Sequence, residues 1–148
     1  MFRVKSKMKY EKGKFRYIDD LTSDVMFEAY GKTLEELFVN AALALSNVIC
    51  QAGKVKRKKS VDVEVRGKGH EELMFNWLQE VIAQVDLEGM FFSGFQVTAM
   101  GKGFIKGRFS GEDADPSKGE TVVKAVTKYG FKMWKDEDMH KVRVVVDI

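Results

Sequence analysis

Polar and apolar positions change period several times along the chain. Residues 25–30 alternate well enough for a short strand, and Gly31-Lys32 breaks it. Thr33 and Glu36 then have the spacing of a capping box. Leu34, Leu37, Phe38, Ala41, Leu45, Val48 and Ile49 recur at three and four residues, the spacing of one wide apolar helix face. The stretch from Thr22 to Cys50 therefore reads as acid, strand, turn and core helix, with Asp24 at the strand's entry.

On the amino side, Phe2, Val4, Met8 and Tyr10 oppose Arg3, Lys5, Lys7 and Lys9, so a strand there has one apolar and one basic face. An edge strand or a tail whose lysines discourage aggregation is favoured over RNA contact. Residues 15–18 suit a short strand, and 19–24 form a polar loop with Asp19, Asp20 and Asp24. Beyond the helix, Val61, Val63 and Val65 alternate with charges over 60–66, a half-buried strand. Residues 70–85 repeat Leu73, Trp77, Leu78, Val81, Ile82 and Val85 as a second helix, which Gly89 ends. Strands follow over 90–99 and 104–110 around Gly101-Lys102-Gly103, and the acidic loop 111–119 holds the only proline, Pro116. Residues 121–128 read as a strand with Val122, Lys124 and Val126 on one side, and 131–135 and 140–147 as a final hairpin. In that hairpin Val142, Val144 and Val146 face the core and Asp147 the opposite side. The expectation is an α+β fold of two helices packed on mainly antiparallel sheet, in the order β-β-α-β-α-β-β-β-β-β. It forms one domain over 1–148, with 1–13 as a basic extension.

The net charge, +3 from 25 basic and 22 acidic side chains, does not by itself indicate a nucleic-acid binder. Its distribution adds one patch, Lys54, Lys56, Arg57, Lys58 and Lys59, read first as a solvated loop and second as a phosphate-facing surface. The patch has no interleaved aromatics for base stacking. A single cysteine, Cys50, excludes an internal disulfide and is expected to be a buried thiol. No apolar run approaches a membrane span, and the amino end lacks an apolar signal core, which favours the cytoplasm. His70 and His140 stand far apart in dissimilar contexts, and Trp77 at helical spacing is read as core. No nucleophile elbow, zinc-helix motif or dinucleotide fingerprint is present, so no catalytic residue is assigned and the chain is not expected to be an enzyme. Asp24, Asp147 and the main-chain carboxylate of Ile148 could converge if the last strand pairs beside the strand starting at Val25. Three such anions call for a neutralising divalent cation or basic groups.

Tyr30-Gly-Lys-Thr-Leu-Glu-Glu-Leu-Phe38, the following Asn40-Ala-Ala-Leu-Ala-Leu45, Val123-Lys-Ala-Val-Thr127 and the terminal Val145-Val-Asp-Ile148 resemble the archease family in order and kind. The similarity runs from about Tyr17 to the end. It implies an accessory protein that activates an RtcB-type RNA ligase in transfer-RNA splicing, promoting guanylylation and turnover. It also implies a chaperone-like role toward a transfer-RNA methyltransferase. The family binds a metal, calcium, through the motif acid and the terminal Asp-Ile, which carries over to Asp24, Asp147 and Ile148. Lys124 matches the family's lysine and becomes a ligase-activation candidate. Two histidines of the family pattern are replaced: Leu21-Thr22-Ser23-Asp24 stands for His-Thr-Ala-Asp, and Lys128-Tyr129 for Tyr-His. The rivals are a stand-alone RNA-binding module and a small metal-dependent phosphoester hydrolase using Asp24 and Asp147.

Overall fold

The computed structural model describes residues 13–20 and 24–148, without the side chains of Asp19 and Asp20. The expected basic strand over residues 2–10 lies outside the described residues, as do residues 21–23 of the expected loop 19–24, whereas Asp19 and Asp20 belong to the first strand and Asp24 to the second. The elements run β1 (Phe15–Asp20), β2 (Asp24–Gly31), α1 (Leu34–Ile49), β3 (Lys59–Arg66), α2 (Gly69–Glu88), β4 (Met90–Gly101), β5 (Phe104–Asp113), β6 (Ala125–Asp136) and β7 (Met139–Asp147).

The α+β class holds, with seven strands among the described residues in two antiparallel sheets, ordered β1-β2-β7-β6 and β3-β5-β4. One strand fewer forms than the pattern suggested, because 121–128 and 131–135 are not two strands. Residues 121–124 are irregular, and β6 runs on from Ala125 to Asp136 through a bulge. At that bulge residues 128–131 stand opposite Val144 alone, and Gly130 takes a left-handed φ of 73°. The expected shared face of Val122, Lys124 and Val126 is corrected with it: Val122 is 81% exposed while Val123 and Val126 are buried. The loop expected over 111–119 starts later, since Gly111, Glu112 and Asp113 complete β5.

Both helices touch both sheets, which explains how much of α1 is buried. Its first turn carries the hydroxyl half of the expected capping box: the Thr33 hydroxyl accepts from the Glu36 N–H at 3.1 Å. Beyond the expected face, Asn40, Ala42, Ala44 and Ser46 are buried too. The polar ones among them are satisfied. Asn40 Nδ2 donates to the Tyr30 carbonyl at 2.7 Å, and the Ser46 hydroxyl donates to the Phe92 carbonyl. Trp77 is fully buried on α2 and donates its indole N–H to the Phe38 carbonyl at 2.9 Å, tying the helices together. The Cys50 side chain is buried, its sulfur 3.6 Å from the Ser46 hydroxyl. Gly89 ends α2 in the left-handed region, φ 61°, its N–H bonded to the Val85 carbonyl.

Candidate metal corner at the end of the four-stranded sheet

The register of β2 against β7 brings together the residues singled out at opposite ends of the sequence. Asp24, the first residue of β2, lies directly opposite Asp147, the last of β7. Side chains opposite one another in an antiparallel pair share a face. Here it is the outer one, because Val25, Phe27 and Ala29 turn inward to the helices and are fully buried. Ile148 packs against the core, which anchors the main chain just beyond Asp147. The Lys124 N–H donates to the Asp147 carbonyl at 2.8 Å, so the stretch before β6 reaches the same corner. The Lys124 residue is exposed there.

Among the described residues, neither the Asp24 nor the Asp147 carboxylate has an ion pair or hydrogen bond. Two like charges directly opposite on a sheet destabilise it unless something neutralises them. The donors are all carboxylate oxygens, the chemistry that hard divalent cations prefer. Among the described residues no group of three or more His, Cys, Asp or Glu side chains is placed to hold a metal.

The other sequence candidates lie elsewhere. The basic run 54–59 faces the acidic end of β5. Lys58 and Lys118 pair with Glu112 at 3.8 and 2.7 Å, and Lys59 pairs with Asp113. The Lys56 N–H donates to the Glu112 carboxylate at 2.8 Å, and Arg57 turns to the Ser93 carbonyl at 3.2 Å. The two charge runs that looked separate in sequence thus partly neutralise each other. Hydrogen bonds from Lys118 and Lys56 hold the Glu112 carboxyl below its ordinary pKa. Tyr129, at a position of the family's second histidine, is 84% exposed at the tip of the β6 bulge. His70 and His140, unconnected in the sequence reading, line one cleft of about 380 Å³ with Trp134, between the start of α2 and the β6–β7 hairpin.

One cluster had no sequence signal. Glu28, buried in mid-β2, accepts from Arg16 of β1 and Arg143 of β7, at 3.1 and 2.9 Å from their Nη2 atoms. Burial pushes the Glu28 carboxyl up, but the hydrogen bonds from Arg143 and Arg16 outweigh it and hold it below its ordinary value. A glutamate alternating with Phe27 and Ala29 reads as solvent-facing until its cross-strand neighbours are known.

Residues 15–148 match the Archease protein family (MTH1598/TM1083). The chain belongs to the archease family. Among curated archeases, the Pyrococcus furiosus protein is 38% identical over 117 residues, 76% of this chain and 82% of that one. The archease of Sulfurisphaera tokodaii is 36% identical over 138 residues, covering 91% and 99%. The solution structure of protein 1598 of Methanobacterium thermoautotrophicum superposes with a TM-score of 0.78 at 29% identity, over 93% of this chain and all of that one. An archease from Thermotoga maritima, described as a possible chaperone, shares the fold with a TM-score of 0.65 at 22% identity over 90% of this chain and 97% of that one. No helix among the described residues is long and apolar enough to cross a membrane.

Proposed function

We propose that this archease is an accessory protein of RNA processing that activates an RtcB-type transfer-RNA splicing ligase, promoting its guanylylation and turnover, rather than an enzyme itself. The reading rests on the family membership and on one geometric observation: Asp24 and Asp147 stand opposite each other, with Lys124 and Ile148 at the same corner. Asp24, Asp147 and the main-chain carboxylate that Ile148 carries as the last residue of this sequence would hold a divalent cation, calcium by family resemblance. The cation would supply positive charge at an otherwise uncompensated acidic edge. The protein's own part is positional. Core packing of Ile148 and the β2–β7 ladder preset the acids, and the Asp147 carbonyl fixes Lys124 beside them, where its ammonium can meet anionic groups of a docked ligase.

The test mixes this protein with the RtcB-type ligase from the same source and follows guanylylation of the ligase. Acceleration by the unaltered protein, lost in Asp24→Ala and Asp147→Ala and reduced in Lys124→Ala, is the expected outcome. No acceleration by the unaltered protein removes the proposal. A chaperone-like action is the second reading, in keeping with the description of the Thermotoga maritima protein as a possible chaperone, and the family resemblance directs it to a transfer-RNA methyltransferase. Suppression of aggregation of such an enzyme by this chain tests it.

A further inference from the structure

The outer face of the four-stranded sheet continues beyond the acidic corner. Two rows of side chains cross it, set by the register. One runs Arg16, Glu28, Arg143 and Lys132; the next runs Tyr30, Lys141 and Trp134. Four cations and two aromatic rings therefore share one face, on the side away from the helices.

Glu28 organises them. Its carboxylate is gripped side-on, by Arg16 through Nε at 3.2 Å and Nη2 at 3.1 Å, and by Arg143 through Nε at 3.2 Å and Nη2 at 2.9 Å. The acid side chain is only 6% exposed, while the two arginines keep 52% and 41%. Two guanidinium planes are thus pinned in place yet remain open to solvent. The Tyr30 hydroxyl accepts from Arg16 Nε at 2.8 Å and donates to Glu28 at 3.2 Å, so its ring is fixed as well. Lys141 Nζ lies 5.7 Å from the Tyr30 ring centre and pairs with the Asp136 carboxylate at 3.3 Å. Around Trp134 stand Lys132 Nζ at 5.2 Å and the Arg143 guanidinium at 5.7 Å. Both rings are half-buried, and Lys132 is exposed enough to swing aside.

We infer that this face binds a single-stranded polynucleotide, its bases stacking on Trp134 and Tyr30 and its phosphates meeting Arg16, Lys132, Lys141 and Arg143. Flat rings interleaved with cations on an open β-sheet are what sequence-tolerant base stacking requires, and the basic run 54–59 lacks the rings. An acidic protein surface would satisfy the cations but leave the alternation of rings and cations without a use. The inference does not rest on the ligase reading, because the acidic corner takes no part in it.

The experiment uses the full chain and a labelled twelve-nucleotide oligouridine RNA, read by fluorescence anisotropy, with intrinsic tryptophan fluorescence alongside. Trp134 is half-exposed and Trp77 fully buried, so quenching reports the sheet face. Saturable binding with quenching, weakening steeply as salt rises, is expected. Trp134→Leu and Tyr30→Leu should each lower affinity about tenfold. Lys132→Gln should reduce the salt slope by about one. Circular dichroism checks each variant. If Trp134→Leu does not fold, Tyr30→Leu and Lys132→Gln, on a different strand and at an exposed site, decide the matter. Unchanged affinity in folded variants overturns the inference, as does equal affinity for a duplex of the same length. Loss of binding on Lys56→Glu but not on Tyr30→Leu would move the contact to the 54–59 run and also overturn it. If the oligonucleotide does not bind and the same variants abolish ligase stimulation, the face contacts protein and the inference fails.

Discussion

Glu28 shows how one residue's setting decides its role. With its pKa held below the ordinary value of 4.5, the carboxylate contributes stability above roughly that pH, and the contribution is lost as pH falls through the lowered folded value. Glu28→Gln should therefore cost about 2 kcal/mol at neutral pH and flatten the loss of stability below about pH 4.5. Urea unfolding at several pH values checks both; an unchanged acid limb would remove Glu28 as its source. Thr33 offers a contrast, because its role was legible without any tertiary information. A hydroxyl three residues before Glu36 at the edge of an apolar repeat reads as a cap, and the bond is there. Thr33→Ala should destabilise by about 1 kcal/mol in the same assay. Asp24 and Asp147 fall between these cases. Their chemistry is visible in the sequence, but their adjacency is not.

Among the elements, those with an unbroken local period were readable to within a few residues. α1, α2, β3 and β7 each carry one. β6 was misread because its bulge interrupts the period, and because Val122 mimics a core position in a segment that has left the sheet. The corrected inward residue there is Val123. Val123→Ser should cost about 1–3 kcal/mol, whereas Val122→Ser should change stability by under about 0.5 kcal/mol. Equal effects would restore the alternating reading. Gly31 belongs to the same scale. It ends β2 so close to the first turn of α1 that a Cβ would collide with the backbone of Leu37. The sequence marks it only as a break. Gly31→Ala should destabilise by about 1–3 kcal/mol through displacement of the helix start, seen as a lowered thermal midpoint.

For the whole molecule, the decisive feature is that the end of this sequence forms a central strand of its sheet. β7 lies between β2 and β6, and its last residue meets the first residue of β2. If the main-chain carboxylate of Ile148 contributes to the metal corner, appending residues after it should weaken calcium binding, measured by calorimetry, with Asp147 intact. Because Ile148 would stay packed against the core, the thermal midpoint without metal should change little. Unchanged calcium affinity in the extended protein would leave only the two side-chain carboxylates as candidate ligands.

By itself the sequence determined the α+β class, both helices, the buried settings of Trp77 and Cys50, and the kinship carried by Tyr30–Leu45 and the Asp-Ile end. All of these depend on residue type and on spacing over a few turns or pleats, which short-range periodicity encodes directly. Only the tertiary structure decided that two sheets share the helical layer, that the basic run 54–59 meets Glu112 and Asp113, and that Asp24 faces Asp147. It likewise gathered Arg16, Tyr30, Trp134 and Arg143 around Glu28 on one outer face. Strand register joins residues more than a hundred positions apart, and it is set by packing across the whole core.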